Sequence, residues 1–575
     1  MLLCTISSIL GLSVILGSTS TLWPMIGLVF SVFCILGWGI LGAKKIQPTM
    51  ELHWDLVLIC GMGIWGLLTF GVLALGWWSS WIVGLLLVLG GAGWIKGRCV
   101  VPKLSELTWF GVVFLAFLSS LDVWGPMIDT DALYYHQALA KQMSLRSSLV
   151  GGWFEPNGSR PMLLHSVYAS MWLFLGEKGP SLIHWVLSIG LVVSVLERSK
   201  GGIWGFLLLV SSWSFVQEIG IISNNLPTAF AIFLTWRTVC SKYFGMASFL
   251  AFTALSYKLT SLGLIAGIWF IYVSGVRRRI QLMGVVCVLF SIWMLRNIGS
   301  DLSPIFPFSG WDEPFQSLEK YGMGRSWKDF LLLPWNVFVH AQIDTHVFQG
   351  RLSPMLLVGL LVVQKLDHRG ILLFLLGCSF WAIGPQWLRH AVLLIPIWVF
   401  LLGPHIHTKI LKIALFIGLF MGVNHNWGPL LSRWNASWEV IRGVVNEESF
   451  RKENIVGYQA LQWVNQKLPK DSCPALLFVW SGAILDRPYI LSSVEDHIPV
   501  RSWLRKYGND ALDVLECDHL VVGNPAMSRK KYLFLSDEVY QQQIIDPLEL
   551  LEERLLQQGV MVYTAKGIRV YRIEK

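Results

Sequence analysis

The sequence predicts a polytopic, all-α membrane bundle followed by a small soluble α/β domain. Of its 575 residues, 54% are hydrophobic and only 14% are charged, whereas a typical soluble domain has about 25% charged residues. Apolar runs recur over residues 1–423, each near the length of about 20 residues that a helix needs to cross a bilayer. From about Asn424, charged residues become frequent and the long apolar runs stop. The composition therefore predicts a membrane part and a soluble tail.

The apolar runs lack the alternation that is typical of a membrane β-barrel, so helices are the expected spanning elements. Basic residues lie in short clusters between these runs, such as Lys44-Lys45 and Arg277-Arg278-Arg279. Such clusters mark the cytoplasmic side of a membrane protein and do not indicate a nucleic-acid partner. One threading of about fifteen helices keeps every cluster inside. It places the loops 122–179 and 298–352, and everything after Val423, on the outer side.

Two apolar segments do not fit this threading as single membrane spans. We predict that residues 245–274 form two short helices that meet at Lys258, because a single span would put basic clusters on opposite sides. The run from Met162 to Leu175, flanked by Trp172, is expected to lie in the membrane interface without crossing.

We divide the chain into three parts. Residues 1–105 are expected to form additional N-terminal transmembrane helices, beginning with a retained first span. Residues 106–423 form the predicted core of the bundle. Residues 424–575 alternate between strand patterns, at 475–480, 519–522, 561–563 and 568–572, and a charged helical stretch at 547–558, which indicates a small α/β unit. This tail has no glycine-rich phosphate loop, so we assign it no chemistry.

The segment from Asp129 to His136 is the strongest functional candidate. Thr130 or Asp131 could cap the helix that follows, but one cap does not explain two carboxylates in so apolar a chain. Acidic residues at the edge of a membrane-embedded helix tend to be functional. Asp129 and Asp131 could accept a proton from a hydroxyl nucleophile or hold a divalent cation. The aromatic residues after them, Tyr134, Tyr135 and His136, are candidates for substrate binding.

Three cations fall on the same predicted side as the acidic segment. Lys258 lies inside an otherwise apolar run and requires an anion. Arg296 ends one predicted span and Arg389 begins another. Each arginine alone could reach up to lipid phosphates, but their shared placement favours a common anionic ligand. Carboxylates facing cations across an outward cavity suit transfer of a group from a lipid phosphate.

Four segments together resemble the motif series of C-type (GT-C) membrane glycosyltransferases, the bacterial relatives of protein mannosyltransferases and aminoarabinose transferases. These are residues 129–136, residues 254–260, residues 293–297 with the Pro304-Ile-Phe-Pro-Phe308 loop, and residues 386–390. Their order along the chain is similar too, over roughly residues 106–423. Each motif is weak alone, and the ordered series is more specific.

The resemblance implies a glycosyltransferase of the bacterial inner membrane that uses a polyprenyl-phosphate sugar donor, inverts the sugar carbon and serves an extracytoplasmic acceptor. It assigns Asp129 or Asp131 as base or metal contact. It places substrate around residues from the other three segments, namely Lys258, Arg296, Asn297, Gln386, Arg389 and His390. Asn225 stands where relatives often carry a second acidic residue, and Glu218 is the nearby candidate to replace it.

Other functions remain open at this point. A polymerase or ligase of lipid-linked glycans would use similar donors, although large arginine-rich outer loops would then be expected. A lipid or solute transporter would explain charges within the membrane, and such proteins often show two related halves. A structural anchor for the soluble tail would not need Lys258 in an apolar run.

Overall fold

The computed structural model describes residues 19–151, 156–300, 302–305, 322–343, 348–384, 386–406, 409–491, 503–504, 506–515, 517–524, 538, 541 and 545–573. The predicted retained span at the N-terminus and residues 306–308 of the Pro-aromatic loop lie outside these residues. The described chain is mainly helical, with one mixed sheet near its C-terminus.

The helices fall into two groups along the chain. Those before residue 300 are α1 Thr19–Ile46, α2 Trp54–Ala74, α3 Ser80–Gly91, α4 Glu106–Trp124, α5 Gln137–Arg146, α6 Leu163–Leu175, α7 Gly179–Ser199, α8 Gly202–Val210, α9 Trp213–Gly220, α10 Asn225–Cys240, α11 Phe244–Tyr257, α12 Leu262–Tyr272 and α13 Val276–Gly299. Those after residue 300 are α14 Trp327–Val339, α15 His368–Ile383, α16 Leu388–Ala391, α17 Ile395–Leu402, α18 Lys409–Ile441, α19 Glu447–Asn454, α20 Tyr458–Lys467, α21 Ala511–Val514 and α22 Asp546–Gln558.

Several of these elements have the length and composition of membrane spans. Among the described residues, five helical segments qualify, or six if the bent pair α8 and α9 forms one span, and shorter apolar helices lie beside them. The chain is therefore a multi-pass membrane protein by these criteria. The total of about fifteen spans stays a prediction.

The predicted break at Lys258 is confirmed. Helix α11 ends at Tyr257, and Lys258 adopts an extended conformation with φ −157° and ψ 118° before a short 3₁₀ turn leads into α12. A second break separates α8 from α9, which meet at 85°. Lys258 thus lies at a helix break, and Glu218 lies in the last turn of α9.

Helix α6 differs from its prediction as an interfacial helix. Its residues 163–171 are all buried, and it packs against α2, α5 and α7. Trp65 of α2 donates a hydrogen bond to Ser170 of α6 over 2.9 Å. The apolar pattern of a helix does not tell whether lipid or protein covers it, and in this case protein does.

The tail contains a five-stranded sheet in the order β2-β1-β3-β5-β4. Its strands are β1 Ala475–Leu477, β2 Ile490–Leu491, β3 His519–Gly523, β4 Gly559–Ala565 and β5 Ile568–Ile573. Strand β1 runs parallel to β2 and β3, whereas β5 pairs antiparallel with both β3 and β4. All five residues of β3 are buried, as expected of a central strand with covered faces.

The loop that follows β1 joins the sheet to the acidic segment. Its 3₁₀ turn, Gly482–Ile484, packs against residues 132–136 and against α5. Lys141 of α5 donates to the Ala483 carbonyl over 3.0 Å and pairs with Asp486 over 2.8 Å. The C-terminal α/β part thus contacts the helix that continues the acidic segment.

Candidate functional site

The acidic segment lies between α4 and α5 and begins its helix with a turn of π-helix, Ala132–His136. Asp129 caps this turn, because its Oδ1 accepts a hydrogen bond from the backbone N–H of Ala132 over 3.1 Å. Asp131 makes no such cap and instead forms an ion pair with Arg389. The expectation that Thr130 or Asp131 is the cap was therefore wrong, and the two carboxylates have different surroundings.

Arg389 stands at the centre of the site. Its guanidinium lies over the ring of Trp387, 3.9 Å from the ring centroid. One Nη group pairs with Asp131, while the buried Nε has no hydrogen-bond partner among the described residues. Arg389 also lies near enough to interact with the charges of Asp129 and Glu218. A buried donor that no described residue uses can bind an oxygen of an anionic ligand.

The other residues of this segment support Arg389. His390 packs edge-on against Trp387, with ring centroids 5.4 Å apart. The buried Gln386 donates to the Ala382 carbonyl over 2.9 Å. This contact ties the segment to the end of α15.

Lys258 is linked to Glu218 through Asn225. The Lys258 ammonium donates to Oδ1 of Asn225, and Nδ2 of Asn225 donates to Oε2 of Glu218 over 2.9 Å. Ser223 donates to the same Glu218 oxygen over 2.5 Å. The neutral amide of Asn225 thus links the Lys258 ammonium to the Glu218 carboxylate. Glu218 lies next to the position where an acidic residue was expected.

The aromatic residues after the acidic pair are largely enclosed by protein. Tyr134 accepts a hydrogen bond from Asn157 over 2.8 Å. Tyr135 packs against the rings of both His136 and His165, with centroid distances of 4.3 and 4.8 Å. The two histidines are joined by a hydrogen bond of 3.0 Å. Of the three predicted binding residues, Tyr135 is the one that is half-buried, whereas Tyr134 and His136 are buried in the core.

Arg296 does not join the other cations. Its guanidinium donates to the carbonyl of Gly158 over 2.7 Å and to that of Val150 over 2.5 Å. Asn297 beside it is buried and donates to the Pro304 carbonyl over 3.3 Å. These carbonyls belong to the loop after α5, which the arginine connects to the end of α13. The assignment of Arg296 to the donor phosphate stays a prediction.

The surroundings of Asp129 favour its protonated form more than those of an ordinary aspartate. Burial raises the pKa of the Asp129 carboxyl, and the charge of neighbouring Asp131 raises this pKa further. Arg389 and Arg433 act in the opposite direction with smaller effect. A carboxylate with a raised pKa is a stronger proton acceptor, which suits a general base.

A divalent cation does not fit the acidic pair as it stands. Asp131 forms an ion pair with Arg389, and one oxygen of Asp129 accepts a hydrogen bond from a backbone N–H. Across the described ranges, no group of three or more His, Cys, Asp or Glu residues could hold a metal ion. We therefore derive no chemical step through a cation.

Comparisons with known proteins find similarity among the solved structures. No protein-family model and no curated protein matches this sequence. The solved structures include a similar chain, the crystal structure of ArnT from Cupriavidus metallidurans bound to undecaprenyl phosphate. It is 13% identical with a TM-score of 0.46, over 84% of this chain and 98% of that chain. This similarity is too distant to decide the activity of the present chain.

Sequence reasoning missed two residues of the site. Arg160 lies close enough to hydrogen-bond Tyr135 and to act electrostatically on Lys258. Its signal in the sequence was an arginine just before Pro161 in the loop that follows the acidic segment. Ser223 was missed because one serine before an amide pair has no distinctive pattern.

Proposed function

We propose that the protein is a membrane glycosyltransferase, which moves a sugar from a polyprenyl-phosphate donor to an acceptor hydroxyl on the extracytoplasmic side. One observation carries the proposal. The fold brings Asp131 and Arg389, which are 258 residues apart in the chain, into an ion pair. The Lys258–Asn225–Glu218 chain supports the proposal, because it lies within electrostatic reach of Arg389. The ordered motif series supports the same assignment.

In the proposed reaction, Arg389 and Lys258 hold the donor phosphate. The Arg389 Nε, which has no partner among the described residues, donates to a phosphate oxygen. The bond between the sugar carbon and this phosphate breaks, and both cations stabilise the charge that develops on the leaving oxygen. Asp131 orients Arg389 through their ion pair.

Asp129 is the proposed base. It accepts the proton of the acceptor hydroxyl while that oxygen forms the new bond to the sugar carbon. Attack on the face opposite the phosphate inverts this carbon. The proton ends on Asp129 and the negative charge on the polyprenyl phosphate, so the step is balanced without a further reactant.

The test uses the full-length protein in lipid nanodiscs with a panel of polyprenyl-phosphate sugars and a membrane-glycan extract as acceptor. Arg389→Ala is expected to lower sugar transfer by about 100-fold or more, since removing one donor that stabilises a developing negative charge has effects of this order. Arg442→Ala is the matched control, because Arg442 also faces a tryptophan, Trp438, at 5.9 Å, but lies at the exposed end of α18.

Two results would contradict the proposal. The first is equal transfer by the parent and by Arg389→Ala. The second is a parent protein that transfers no sugar from any donor but carries intact lipid across the nanodisc or a liposome membrane, which would indicate the transporter alternative.

A further inference from the structure

A cavity of about 400 Å³ lies beside the acidic segment, and neither Asp131 nor Arg389 is among the described residues that line it. Its wall is formed by the ends of α4 and α9, by residues 126–129 after α4, and by α18 and α19. Its volume falls within the range of about 300–1,000 Å³ that is common for small-molecule sites. The cavity is therefore large enough for a ligand group and adjoins the proposed base.

Asp129 is one of the residues that line this cavity. Asp131, two residues later, is held by Arg389. The two carboxylates of the acidic segment thus have different surroundings. Asp131 contacts Arg389 of the proposed donor site, and Asp129 lines the cavity.

The remaining charges of the wall cancel each other. Asp122 accepts two hydrogen bonds from the Arg433 guanidinium, one of them from Nε over 2.8 Å. Trp434 donates to the same carboxylate over 2.9 Å. This ion pair is satisfied within the protein, which leaves Asp129 as the carboxylate of the described wall that is outside an ion pair. A phosphate or carboxylate ligand would be repelled there, whereas a neutral hydroxyl would not.

The uncharged residues of the wall include both polar and apolar side chains. Ser432, Ser437 and Asn454 supply hydroxyl and amide groups. Ile221 and Phe450 supply apolar surface. A sugar ring or similar polyol matches this combination, since its hydroxyl groups need hydrogen-bond partners and its C–H faces pack on apolar and aromatic side chains.

We propose that this cavity binds the acceptor, and that the acceptor group it takes is an uncharged polyol such as a sugar ring. This inference rests on the proposed function, with Asp129 receiving the proton from a hydroxyl held in the cavity. The donor phosphate and the acceptor then approach the acidic segment from separate sides.

Ser432→Trp tests the inference by filling the cavity. Ser432 is exposed at the rim on α18, so a larger side chain is accommodated without opening the core. Asn435→Trp is the matched control, because Asn435 is exposed on the same helix and is not among the residues that line the cavity. Both variants are prepared as full-length protein in nanodiscs.

The first measurement is binding of methyl β-glucoside by saturation-transfer NMR, with glucose 6-phosphate as the charged comparison. Parent and Asn435→Trp are expected to bind the neutral glycoside, and Ser432→Trp to bind it at least tenfold more weakly. The phosphorylated sugar is expected to bind the parent more weakly than the neutral one. Equal binding of the glycoside by parent and Ser432→Trp would overturn the inference, as would tighter binding of the phosphorylated sugar.

The second measurement separates this inference from the proposed function. The ratio of sugar transfer to donor hydrolysis is expected to fall at least tenfold in Ser432→Trp and to stay at the parent value in Asn435→Trp. An unchanged ratio in Ser432→Trp overturns the cavity assignment while the transferase assignment stands. A parent that binds the glycoside at the cavity but neither transfers nor hydrolyses donor overturns the proposed function and leaves the polyol site supported.

Discussion

Asp131 and Arg389 form an ion pair although 258 residues separate them in the chain. The pair joins the segment after α4 to the segment before α17, and Trp387 supports the guanidinium from one face. The pair also gives the two carboxylates of the acidic segment different partners. Asp131 binds the arginine, whereas Asp129 accepts a hydrogen bond from the backbone N–H of Ala132.

Sugar transfer is expected to fall at low pH with a midpoint above the value of about 4 for an ordinary aspartate. The reason is that burial and the charge of Asp131 raise the pKa of Asp129, which must be deprotonated to act as base. Asp131→Asn removes the neighbouring charge, so the pKa of Asp129 falls and the acidic limb moves to lower pH. The measurement is kcat/KM against pH for both proteins. An acidic limb that stays in place in the variant would contradict the assignment of Asp129 as base.

The Glu218–Asn225 pair can be tested by exchanging its functional groups. Glu218→Gln is expected to lower transfer at least tenfold, because Lys258 and Asn225 lose the nearby carboxylate. Asn225→Asp alone is also expected to lower transfer, since two carboxylates then meet directly. The double variant restores one carboxylate and one amide in contact, and is expected to exceed both single variants in kcat. A double variant that is no better than the weaker single variant would show that the pair does not act as a unit.

Lys141 and Asp486 are expected to contribute unequally to stability. The Asp486 side chain is 74% exposed, so Asp486→Ala should cost less than about 1 kcal/mol. Lys141 is buried and also donates to the Ala483 carbonyl, so Lys141→Ala leaves that group without its partner and should cost about 1–3 kcal/mol. Unfolding of the purified protein by denaturant or heat measures both. Equal losses for the two variants would indicate that the ion pair, and not the carbonyl contact, holds α5.

Arg198→Met is expected to destabilise the bundle by about 3–5 kcal/mol, as is usual when one partner of a buried ion pair is removed. Its partner Asp55 is fully enclosed and accepts two hydrogen bonds from the guanidinium, each of 2.7 Å. The double variant Asp55→Asn/Arg198→Met should recover part of the loss, because no uncompensated charge is then buried. Arg369→Met, at an exposed arginine, is the control. Thermal unfolding in one detergent compares the four proteins, and an Arg198→Met protein as stable as the control would contradict the expectation.

Much of the local structure could be predicted from the sequence. The break at Lys258 followed from charge placement, and the strands β1, β3, β4 and β5 overlap the stretches with strand patterns, although β4 is longer than predicted. Predictions of this kind succeed because helix breaks, spans and buried strands depend mainly on nearby residues. The burial of α6 could not be predicted, because lipid and protein select the same apolar side chains.

The site was predictable in part. Asp131, Lys258 and Arg389 lie together with Glu218 and Asn225, whereas Arg296 binds backbone carbonyls of another loop. An arginine at the end of a span has the same local sequence pattern whether it binds an anionic ligand or backbone carbonyls. Its partner depends on which loop folds over it.

By itself, the sequence determined the class of this protein: a bundle of apolar helices, a tail of mixed strands and helices, and a few costly charges at helix ends. Local composition suffices for these features, since transfer from water into lipid or a protein core depends on the side chains of each segment. Only the tertiary structure decided which charges meet. It paired Asp131 with Arg389, placed Asn225 between Lys258 and Glu218, and set Asp129 beside a cavity. Electrostatic and hydrogen-bond energies depend on distances of a few ångströms between groups far apart in the chain, and no local pattern records those distances.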